Sequence, residues 1–581
     1  MKRNIAFFIS NNKDLNSHNK SVTHFQSLAN KFGYKIYSHK SNDLNVYIIY
    51  ENEVTIELKN DFTTFPIGNL GDSILENDRF LKINIDKSSI RIENDYAGSI
   101  PVFYSVRGHL SLSNIEPCVV IDSNCSINDI SFENIYGYLR YMHFIWDETA
   151  YNHIFTMLPD SEYMFDYVSL KVNEKYLETV KSSDTNKNIS NKEVAKRLND
   201  LNDELVHASL EKYNQIILPL SSGYDSRMIL ASLSKRKDLK EKLYCFTYGS
   251  IGSVEVEAGR RLTKELGIKW DFIDLPLQFL TKDYLFDIYN IFGSSLHMHG
   301  MYQLEFYKEI SKKIVIKENS CLTSGFMTGV PAGQHNSLLG INGSINSLTS
   351  CMNKFSQSKY WTDEELTNMN IFKNKNYIQK AEERFQKAFN RFNGEIYQKA
   401  VMFDVWTRQR NFISYYPRTL EWKISTVSPH MNKKYANFFM SISKEHLDDR
   451  LAVELMFANH YPKMASIVSN SNGLKTINNR IENSLFFLSR VFRKFKLNHL
   501  LPKKYSIADF EFNLPALRYS KTDAVYPLLD KNEKVDKVIG KFLSHQQLKE
   551  LYDKAYNGDV PSYEKMVTIQ SIAMSILKME S

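Results

Sequence analysis

The chain has 581 residues, which is too long for one ordinary domain and favours two to four. Hydrophobic residues make up 43% and charged residues 24%, a balance typical of globular proteins with sizeable cores. The net charge of +7 is small and both signs are mixed along the chain, while the five cysteines are scattered without a CxxC pair. Composition therefore argues against nucleic-acid binding, a disulfide framework and a zinc site.

The first residues, MKRNIAFFISNNKDLN, contain only a short apolar run before the sequence becomes polar. That run is too short for a signal peptide and predicts a first strand. No stretch of the sequence approaches the length of a membrane-spanning helix. We therefore expect a cytoplasmic protein that does not insert into a membrane.

Residues 1–180 are rich in short apolar or alternating runs separated by Asn, Asp, Gly and Ser, a pattern typical of strands. The runs are IAFFIS, VYIIY, VTIEL, FLKINI, SIRIE, VFYSV and LSLS. The polar stretch 181–191 (KSSDTNKNISN) has a single apolar residue, Ile189, and predicts a linker. The first 180 residues are therefore predicted to form a β-rich domain.

Beyond the linker the pattern predicts strands that alternate with helices. Apolar residues over 194–205 have the spacing of one helix face, and a further helix is predicted over 255–266. The predicted strands span 216–220, 242–248 and 270–275. Such alternation favours a parallel sheet with right-handed crossovers. Long helical patterns dominate from about residue 375, and we assign a domain to 192–470 and a helical C-terminal extension to 471–581.

The segment after the first of these strands is the most informative about chemistry. A strand that ends in a Ser/Gly turn directly before a helix presents backbone N–H groups and the positive helix end to an anion. Gly223 lets the backbone approach a phosphate closely. Asp225 would repel a phosphate alone, so its presence predicts a Mg²⁺ ion that bridges it to phosphates. The segment reads Leu220, Ser221, Ser222, Gly223, Tyr224, Asp225, Ser226.

This run resembles the pyrophosphate loop S-G-G-x-D-S of ATP pyrophosphatases, with Ser222 in place of the first glycine. Residues 245–249 (CFTYG) and the following helix resemble the second strand and helix of asparagine synthetase-like (class B) ligases, whose helix carries an acidic residue near its start, here Glu255. Residues 324–333 (SGFMTGVPAG) are similar to that family's later glycine-rich segment. The resemblance implies that ATP is bound by the loop residues together with Leu220, Phe246, Thr247, Ser324 and Gly325.

The first region resembles the glutaminase domain of the same family at 4–8 (NIAFF), 95–104 (DYAGSIPVFY) and 137–159. The resemblance covers most of residues 1–470 in the family's order. It implies an α/β fold: a β-rich, Ntn-like α/β sandwich, then a parallel-sheet ATP pyrophosphatase domain (adenine nucleotide alpha hydrolase-like) with a helical C-terminal part.

The sequence departs from the family at the glutaminase nucleophile. Position 2 is lysine and the aligned residue is Arg3, and neither side chain can replace the thiolate of the attacking cysteine. We therefore predict that the N-terminal domain has no glutaminase activity and is a structural remnant or a substrate platform.

The later loop departs as well, with Gly329 where relatives have a Mg²⁺-binding aspartate and Val330 where many have a glutamate. Asp225 and the phosphates remain as metal ligands, and Glu255 or Glu257 is a candidate to supply the missing charge.

Further along the chain, Arg450 and Lys463 are candidates to stabilise the leaving pyrophosphate or the tetrahedral intermediate, with ordinary surface positions as the alternative. His297 and His299 (HMHG) would suit a metal ion, but no third ligand is evident in the sequence, so we interpret them as loop residues.

The resemblance implies an ATP- and Mg²⁺-dependent carbon–nitrogen ligase that adenylates a carboxylate, releases pyrophosphate and transfers the acyl group to an amine or ammonia. The substrates would be small molecules, peptides or sugar acids, and a homodimer or a partner biosynthetic enzyme fits the same resemblance. Family members without the cysteine include β-lactam synthetases, lasso-peptide cyclases and amidotransferases of surface-polysaccharide pathways, and the sequence does not choose among them. The alternatives are a catalytically decayed binding or partner protein and a tRNA-modifying pyrophosphatase, which the mixed charge disfavours.

Overall fold

Two β-sheets organise the chain, one antiparallel and one parallel. The structure is a computed structural model. It describes residues 3–41, 43–52, 56–59, 62–68, 79–183, 189–249, 251–274, 282–295, 303–336, 347–356, 361–369, 371–373, 376–469, 476–477, 479–495, 497, 500–501, 539–557 and 559–579.

The antiparallel sheet is curled and lies in the N-terminal part of the chain. Along β6 and β7 the buried residues alternate with more exposed ones, and Ile83 and Ile90 face an apolar interior. The strands are β1 (Asn4–Ser10), β2 (Lys35–Lys40), β3 (Asn45–Tyr50), β4 (Glu57–Lys59), β5 (Phe62–Gly68), β6 (Phe80–Ile85), β7 (Ser89–Asn94), β8 (Phe103–Ser105), β9 (Ser111–Ser113), β10 (Phe155–Thr156), β11 (Ser161–Asp166) and β12 (Val172–Tyr176).

The parallel sheet has the strand order β15-β14-β13-β16-β17. Its strands are β13 (Gln215–Pro219), β14 (Leu243–Tyr248), β15 (Trp270–Ile273), β16 (Ser320–Thr323) and β17 (Ser425–Val427). The chain first adds strands on one side of β13 and then returns to add β16 on the other. The carboxyl ends of β13 and β16 therefore flank the point where the strand order reverses, which is where open parallel sheets form their crevice.

Helices surround both sheets. The α-helices are α1 (Leu15–Phe32), α2 (Glu116–Asp122), α3 (Phe132–Tyr141), α4 (Asn191–Leu210), α5 (Tyr224–Leu233), α6 (Lys237–Lys242), α7 (Val254–Leu266), α8 (Lys282–Phe292), α9 (Gln303–Lys313), α10 (Leu348–Ser356), α11 (Asp363–Thr367), α12 (Tyr377–Asn390), α13 (Ile396–Asp404), α14 (Tyr415–Glu421), α15 (Lys433–Ser441), α16 (Lys444–Leu447), α17 (Leu451–His460), α18 (Pro462–Ala465), α19 (Arg480–Lys494), α20 (His545–Tyr556) and α21 (Val560–Met579). A π-helix spans Val405–Ile413.

The predicted mixed α/β architecture, with a β-rich region before a parallel sheet, is confirmed. The sequence patterns missed the strands β2, β5, β10, β11, β12, β16 and β17. They also missed helix α1, whose N-cap Asp14 and C-cap Gly33, at φ +76°, were not recognised. One apolar core contains residues from both sides of the predicted linker, such as Phe8 and Val194. The division of the chain into domains stays a prediction.

Membrane insertion was not expected from the sequence. Across the part of the chain that the structure describes, every helix is too short or too polar to traverse a bilayer.

We predict that Gly259→Ala destabilises the protein. A Cβ atom at Gly259 would lie 2.3 Å from the Thr247 hydroxyl oxygen, so helix α7 would have to move away from β14. Overpacking of this kind costs about 1–3 kcal/mol of unfolding free energy, which urea denaturation can measure.

Gly137→Ala is the matched control. Gly137 also lies within a helix, α3, but an added Cβ there would lie 3.7 Å from the Glu148 Oε2, an ordinary van der Waals contact. Alanine there should be neutral or stabilise by up to about 1 kcal/mol through helix propensity. Equal effects of the two substitutions would contradict the close α7–β14 approach.

Candidate active site

The serine-rich loop lies at the carboxyl edge of the parallel sheet. Strand β13 ends at Pro219, and the Leu220 N–H donates to the Phe246 carbonyl at 2.8 Å. Helix α5 starts at Tyr224, with Gly223 as its N-cap. The strand–loop–helix geometry that the sequence predicted is therefore present, and the positive end of α5 faces the crevice edge.

The loop amides are engaged by side chains in this conformation. The Ser221 N–H donates to the Ser226 hydroxyl and the Gly223 N–H donates to the Ser221 hydroxyl, each at 3.1 Å. The Ser222 N–H donates to the Glu255 carboxylate. The sequence predicted amides open to an anion, whereas the structure has a carboxylate at one of them. A bound phosphate would have to take the place of Glu255 and rotate the serine hydroxyls.

Arg227, which the sequence analysis did not single out, anchors the loop. Its buried guanidinium donates to the carbonyl of Ser222 at 2.8 Å and to those of Met464, Ile467 and Val468 at 3.0, 3.0 and 2.9 Å. Burial lowers the pKa of Arg227 to about 10, so the group remains charged near neutral pH. The signal in the sequence was an arginine directly before the apolar run MILASL.

Asp225 lies in the first turn of α5, and its Oδ1 is buried without a hydrogen-bond partner among the described residues. Burial raises the pKa of Asp225, while the charge of Arg450 and the imidazole of His335 oppose this shift. A carboxylate oxygen without a partner is the type of ligand that Mg²⁺ takes in proteins. The side chain therefore fits the predicted metal role.

The loop after β16 closes against Asp225 through two glycines. A Cβ atom at Gly325 would lie 2.8 Å from the Asp225 Cβ, and one at Gly329 would lie 2.9 Å from the Asp225 Oδ1. The same Cβ at Gly329 would lie 1.9 Å from the Gln334 Oε1. Position 329 thus faces Asp225, and the amide of Gln334 occupies the space into which a side chain at 329 would project.

The later loop is fixed by polar contacts to the helical part of the chain. The Ser324 N–H donates to the Val427 carbonyl at 2.8 Å. The Thr328 hydroxyl lies 2.6 Å from the His430 Nδ1, and the Tyr435 hydroxyl donates to the Thr328 carbonyl at 2.8 Å. These contacts fix the later loop to β17 and to the segment that follows it.

A histidine–aspartate pair, also missed by the sequence analysis, lies beside this loop. The His335 Nδ1 is 2.7 Å from the Asp404 Oδ2, and Asp404 is buried. Burial by itself would raise the pKa of Asp404, but His335 and Arg408 hold it below its usual value. The other ring nitrogen of His335 makes no hydrogen bond to a described residue, which leaves it available for proton transfer.

Arg450 joins the site, whereas Lys463 does not. Arg450 is buried at the start of α17, with φ +62°, and its guanidinium lies 5.2 Å from the centre of the Tyr224 ring. Its charge favours ionised Asp225. Lys463 has an 81% exposed side chain whose Nζ is 2.7 Å from Glu265, so it lies in a surface ion pair.

Phe246 and Thr247 form the end of β14 beside the loop. The Thr247 hydroxyl donates to the Leu220 carbonyl at 2.7 Å and accepts from the Trp270 Nε1 at 3.0 Å. The buried Phe246 ring packs 5.5 Å from the Phe306 ring. These contacts position the loop, and adenine recognition by this strand stays a prediction.

No set of three or more His, Cys, Asp and Glu side chains arranged to hold a metal occurs among the described residues. A Mg²⁺ site here would rest on Asp225, with the Gln334 amide oxygen nearby and phosphate oxygens as further ligands. Glu257 points elsewhere and pairs with Arg260 at 2.7 Å. His297 and His299 lie outside the described residues.

Comparison with known proteins gives no family assignment: no protein-family model matches the sequence, and no curated protein has significant similarity to it. The function must therefore be inferred from the site.

We predict that Asp225→Asn stabilises the ligand-free protein at pH 7. Because the pKa of Asp225 is raised in the folded state, its contribution to stability is greatest below the unfolded value of about 3.9 and is lost as pH rises through the folded pKa. A neutral amide avoids this loss. Urea denaturation at pH 4 and pH 7 should show a gain only at the higher pH.

We predict the opposite effect on stability at pH 7 for Asp404→Asn. The folded pKa of Asp404 is lowered, so its contribution is present above the unfolded pKa and is lost as pH falls through the folded value. The substitution should reduce stability at pH 7.

For the Asp225 variant, a loss of stability at pH 7 would contradict the finding that the Asp225 Oδ1 has no hydrogen-bond partner among the described residues.

Proposed function

We propose that this protein is an ATP-dependent ligase of the asparagine synthetase type, which adenylates a carboxylate and transfers the acyl group to an amine or ammonia. The observation that carries the proposal is the Asp225 Oδ1, which is buried and has no hydrogen-bond partner among the described residues. It lies directly after the serine loop, where the strand order of the parallel sheet reverses. We propose with it that the curled sheet is an Ntn-like sandwich and the parallel sheet an ATP pyrophosphatase domain.

In this proposal the β- and γ-phosphates of ATP bind at the serine loop. The amides and hydroxyls of Ser221, Ser222, Gly223 and Ser226 supply donors at the N-terminus of α5. Glu255 already places an anionic oxygen on the Ser222 amide, which supports an anion site at this position. Leu220, Phe246 and Thr247 would border the nucleoside, and Ser324 and Gly325 the far wall of the crevice.

Asp225 would hold the Mg²⁺ ion, which offsets the charge of the phosphates when it is bound. The substrate carboxylate attacks the α-phosphorus, and the bond to the pyrophosphate oxygen breaks. Arg450 lies on the Asp225 side of the loop, where its charge stabilises the negative charge that moves onto pyrophosphate. Burial of this arginine strengthens such an interaction, because water screens it less.

The acyl transfer needs a group that accepts a proton from the amine. The amine nitrogen attacks the acyl carbon, AMP leaves with the bonding electrons, and a proton must leave the nitrogen. His335 suits this role because Asp404 fixes the orientation of its ring through Nδ1 and leaves the other nitrogen available. It would provide a base in a chain that has Val330 where many relatives have a glutamate.

The amine would not come from glutamine hydrolysis by this chain. Arg3 occupies the slot of the nucleophile, and its side chain is buried and paired with Glu51 at 3.0 Å. An arginine in an ion pair cannot form the thioester that a glutaminase requires. Free ammonia or a second amine substrate is the expected acceptor.

We predict that Asp225→Asn removes most Mg²⁺-dependent ATP binding and pyrophosphate release. A neutral amide is a poor ligand for a hard cation, and removal of a metal-binding carboxylate should cost at least about tenfold in affinity or rate. ATP titration by calorimetry and pyrophosphate release with candidate carboxylates and amines measure the two effects.

Asp238→Asn is the control, because Asp238 is exposed and pairs with Arg236 on the surface. It should leave both measurements unchanged. Equal ATP affinity in the Asp225 variant and wild type would mean that the active site lies elsewhere. Absence of nucleotide binding by the wild-type protein at saturating Mg²⁺ would favour a decayed binding protein.

We predict that His335→Gln separates the two half-reactions. Adenylation, measured as carboxylate-dependent exchange of labelled pyrophosphate into ATP, should remain because it needs no base. Acyl transfer to the amine should fall by about 10²–10⁴-fold. His153→Gln, at a side chain that is 45% exposed, is the control. Parallel loss of both half-reactions would contradict the assigned role of His335.

A further inference from the structure

Three buried arginines meet where the antiparallel sheet contacts helix α14. Arg3 precedes β1, Arg79 precedes β6 and Arg418 lies in α14. Their residues are 2%, 2% and 4% exposed. Buried guanidinium groups are costly unless they are paired, so a cluster of three requires compensating negative charge.

Two carboxylates among the described residues form ion pairs with these arginines. Glu51 lies 3.0 Å from the Arg3 Nε, and Glu421 contacts the Arg79 Nη2. Arg418 has no described carboxylate partner, and its guanidinium instead lies 4.8 Å from the Phe292 ring centre and 5.0 Å from the Tyr415 ring centre. Within the described ranges, these ion pairs leave the charge of Arg418 without an anion.

One nitrogen of Arg3 and one nitrogen of Arg418 have no hydrogen-bond partner among the described residues. The two atoms are the Arg3 Nη1 and the Arg418 Nη1, which are both buried and donate to no acceptor in the part of the chain that the structure describes. Burial lowers the pKa of Arg418 to about 10, with Tyr415 opposing and Arg79 adding to the shift, so the group stays protonated at neutral pH. Both arginines line one small cavity, together with Asn4, Asn114 and Glu421.

The cavity has a volume of about 20 Å³, slightly more than the 10–15 Å³ that one water molecule needs. It is too small for glutamine or a nucleotide. The Glu421 side chain is 18% exposed, which marks an approach from solvent. Size and charge together select a small monovalent anion.

We propose that this cavity is a binding site for a single inorganic anion of the size of chloride, held by Arg3 and Arg418. The anion would neutralise the charge of Arg418 and connect the N-terminal sheet to α14. Because α14 precedes β17, the bound anion would stabilise the contact between the two sheet systems. The proposal does not depend on the proposed ligase activity.

The test is the thermal midpoint of the full-length protein in sodium chloride and in sodium gluconate at constant ionic strength. Gluconate is too large for the cavity, so the wild-type midpoint should rise with chloride and saturate. Arg418→Met should abolish this chloride-specific rise. Arg236→Met, which removes an exposed arginine on the surface, should retain it. Equal wild-type midpoints in the two salts would overturn the proposal, as would an unchanged chloride response in Arg418→Met.

Glu421→Gln provides a second variant in case Arg418→Met does not fold. The substitution removes a carboxylate that competes with the anion for the arginine cluster, so half-saturation should move to at least about tenfold lower chloride, a change of 1.4 kcal/mol. An unchanged half-saturation would contradict the proposal.

Bromide in place of chloride gives a direct readout in crystals through its anomalous scattering. A peak between Arg3 and Arg418 is expected. Bromide peaks confined to the molecular surface would indicate an adventitious ion only and would overturn the site.

Discussion

The buried guanidinium of Arg227 is the contact on which the candidate site depends. One side chain satisfies the carbonyl of Ser222 in the serine loop and three carbonyls at 464–468, and it thereby fixes the loop to a chain segment more than 200 positions away. A buried charge is costly unless it is hydrogen-bonded, so the loop and that segment must be formed together. The position of Asp225, two residues earlier, follows from this anchor.

Asp225 itself is held in an unfavourable environment. Its Oδ1 has no hydrogen-bond partner among the described residues, and burial raises its pKa. Stability alone would favour a neutral or apolar residue at this point. Functional sites are where proteins keep such local costs, because the group is ready for a ligand that completes its interactions. Gly325 and Gly329 of the later loop allow the chain to pack close to this carboxylate, because neither has a side chain that would collide with it.

Four buried arginines of the chain have different surroundings for their guanidinium groups. Arg227 and Arg410 are surrounded by carbonyl groups, and Arg410 donates to the carbonyls of Trp146 and Met157, which ties the π-helix to the N-terminal part. Arg3 and Arg418 each keep a nitrogen without a protein acceptor. The Nε atoms of Arg227 and Arg410 also lack an acceptor among the described residues, but Arg3 and Arg418 differ in that they line one common cavity. Arg410 and the cavity of Arg3 and Arg418 lie between elements that the sequence assigned to separate domains, and one apolar core likewise contains residues from both sides of the predicted linker.

The sequence by itself determined the two sheet systems and the loop that carries Asp225, because period-two alternation, strand–helix alternation and a Ser/Gly turn are local patterns. The resemblance to asparagine synthetase-like ligases also indicated Glu255, Gly325 and Arg450 as candidate residues of the same site. Only the tertiary structure decided that Gln334 fills the space beside Gly329, that His335 pairs with Asp404, and that Lys463 lies on the surface. These are contacts between side chains distant in sequence, set by how the helices pack around the parallel sheet, and no local periodicity encodes them. The engagement of the Ser222 amide by Glu255 belongs to the same class, since it depends on how α7 packs beside the end of β13.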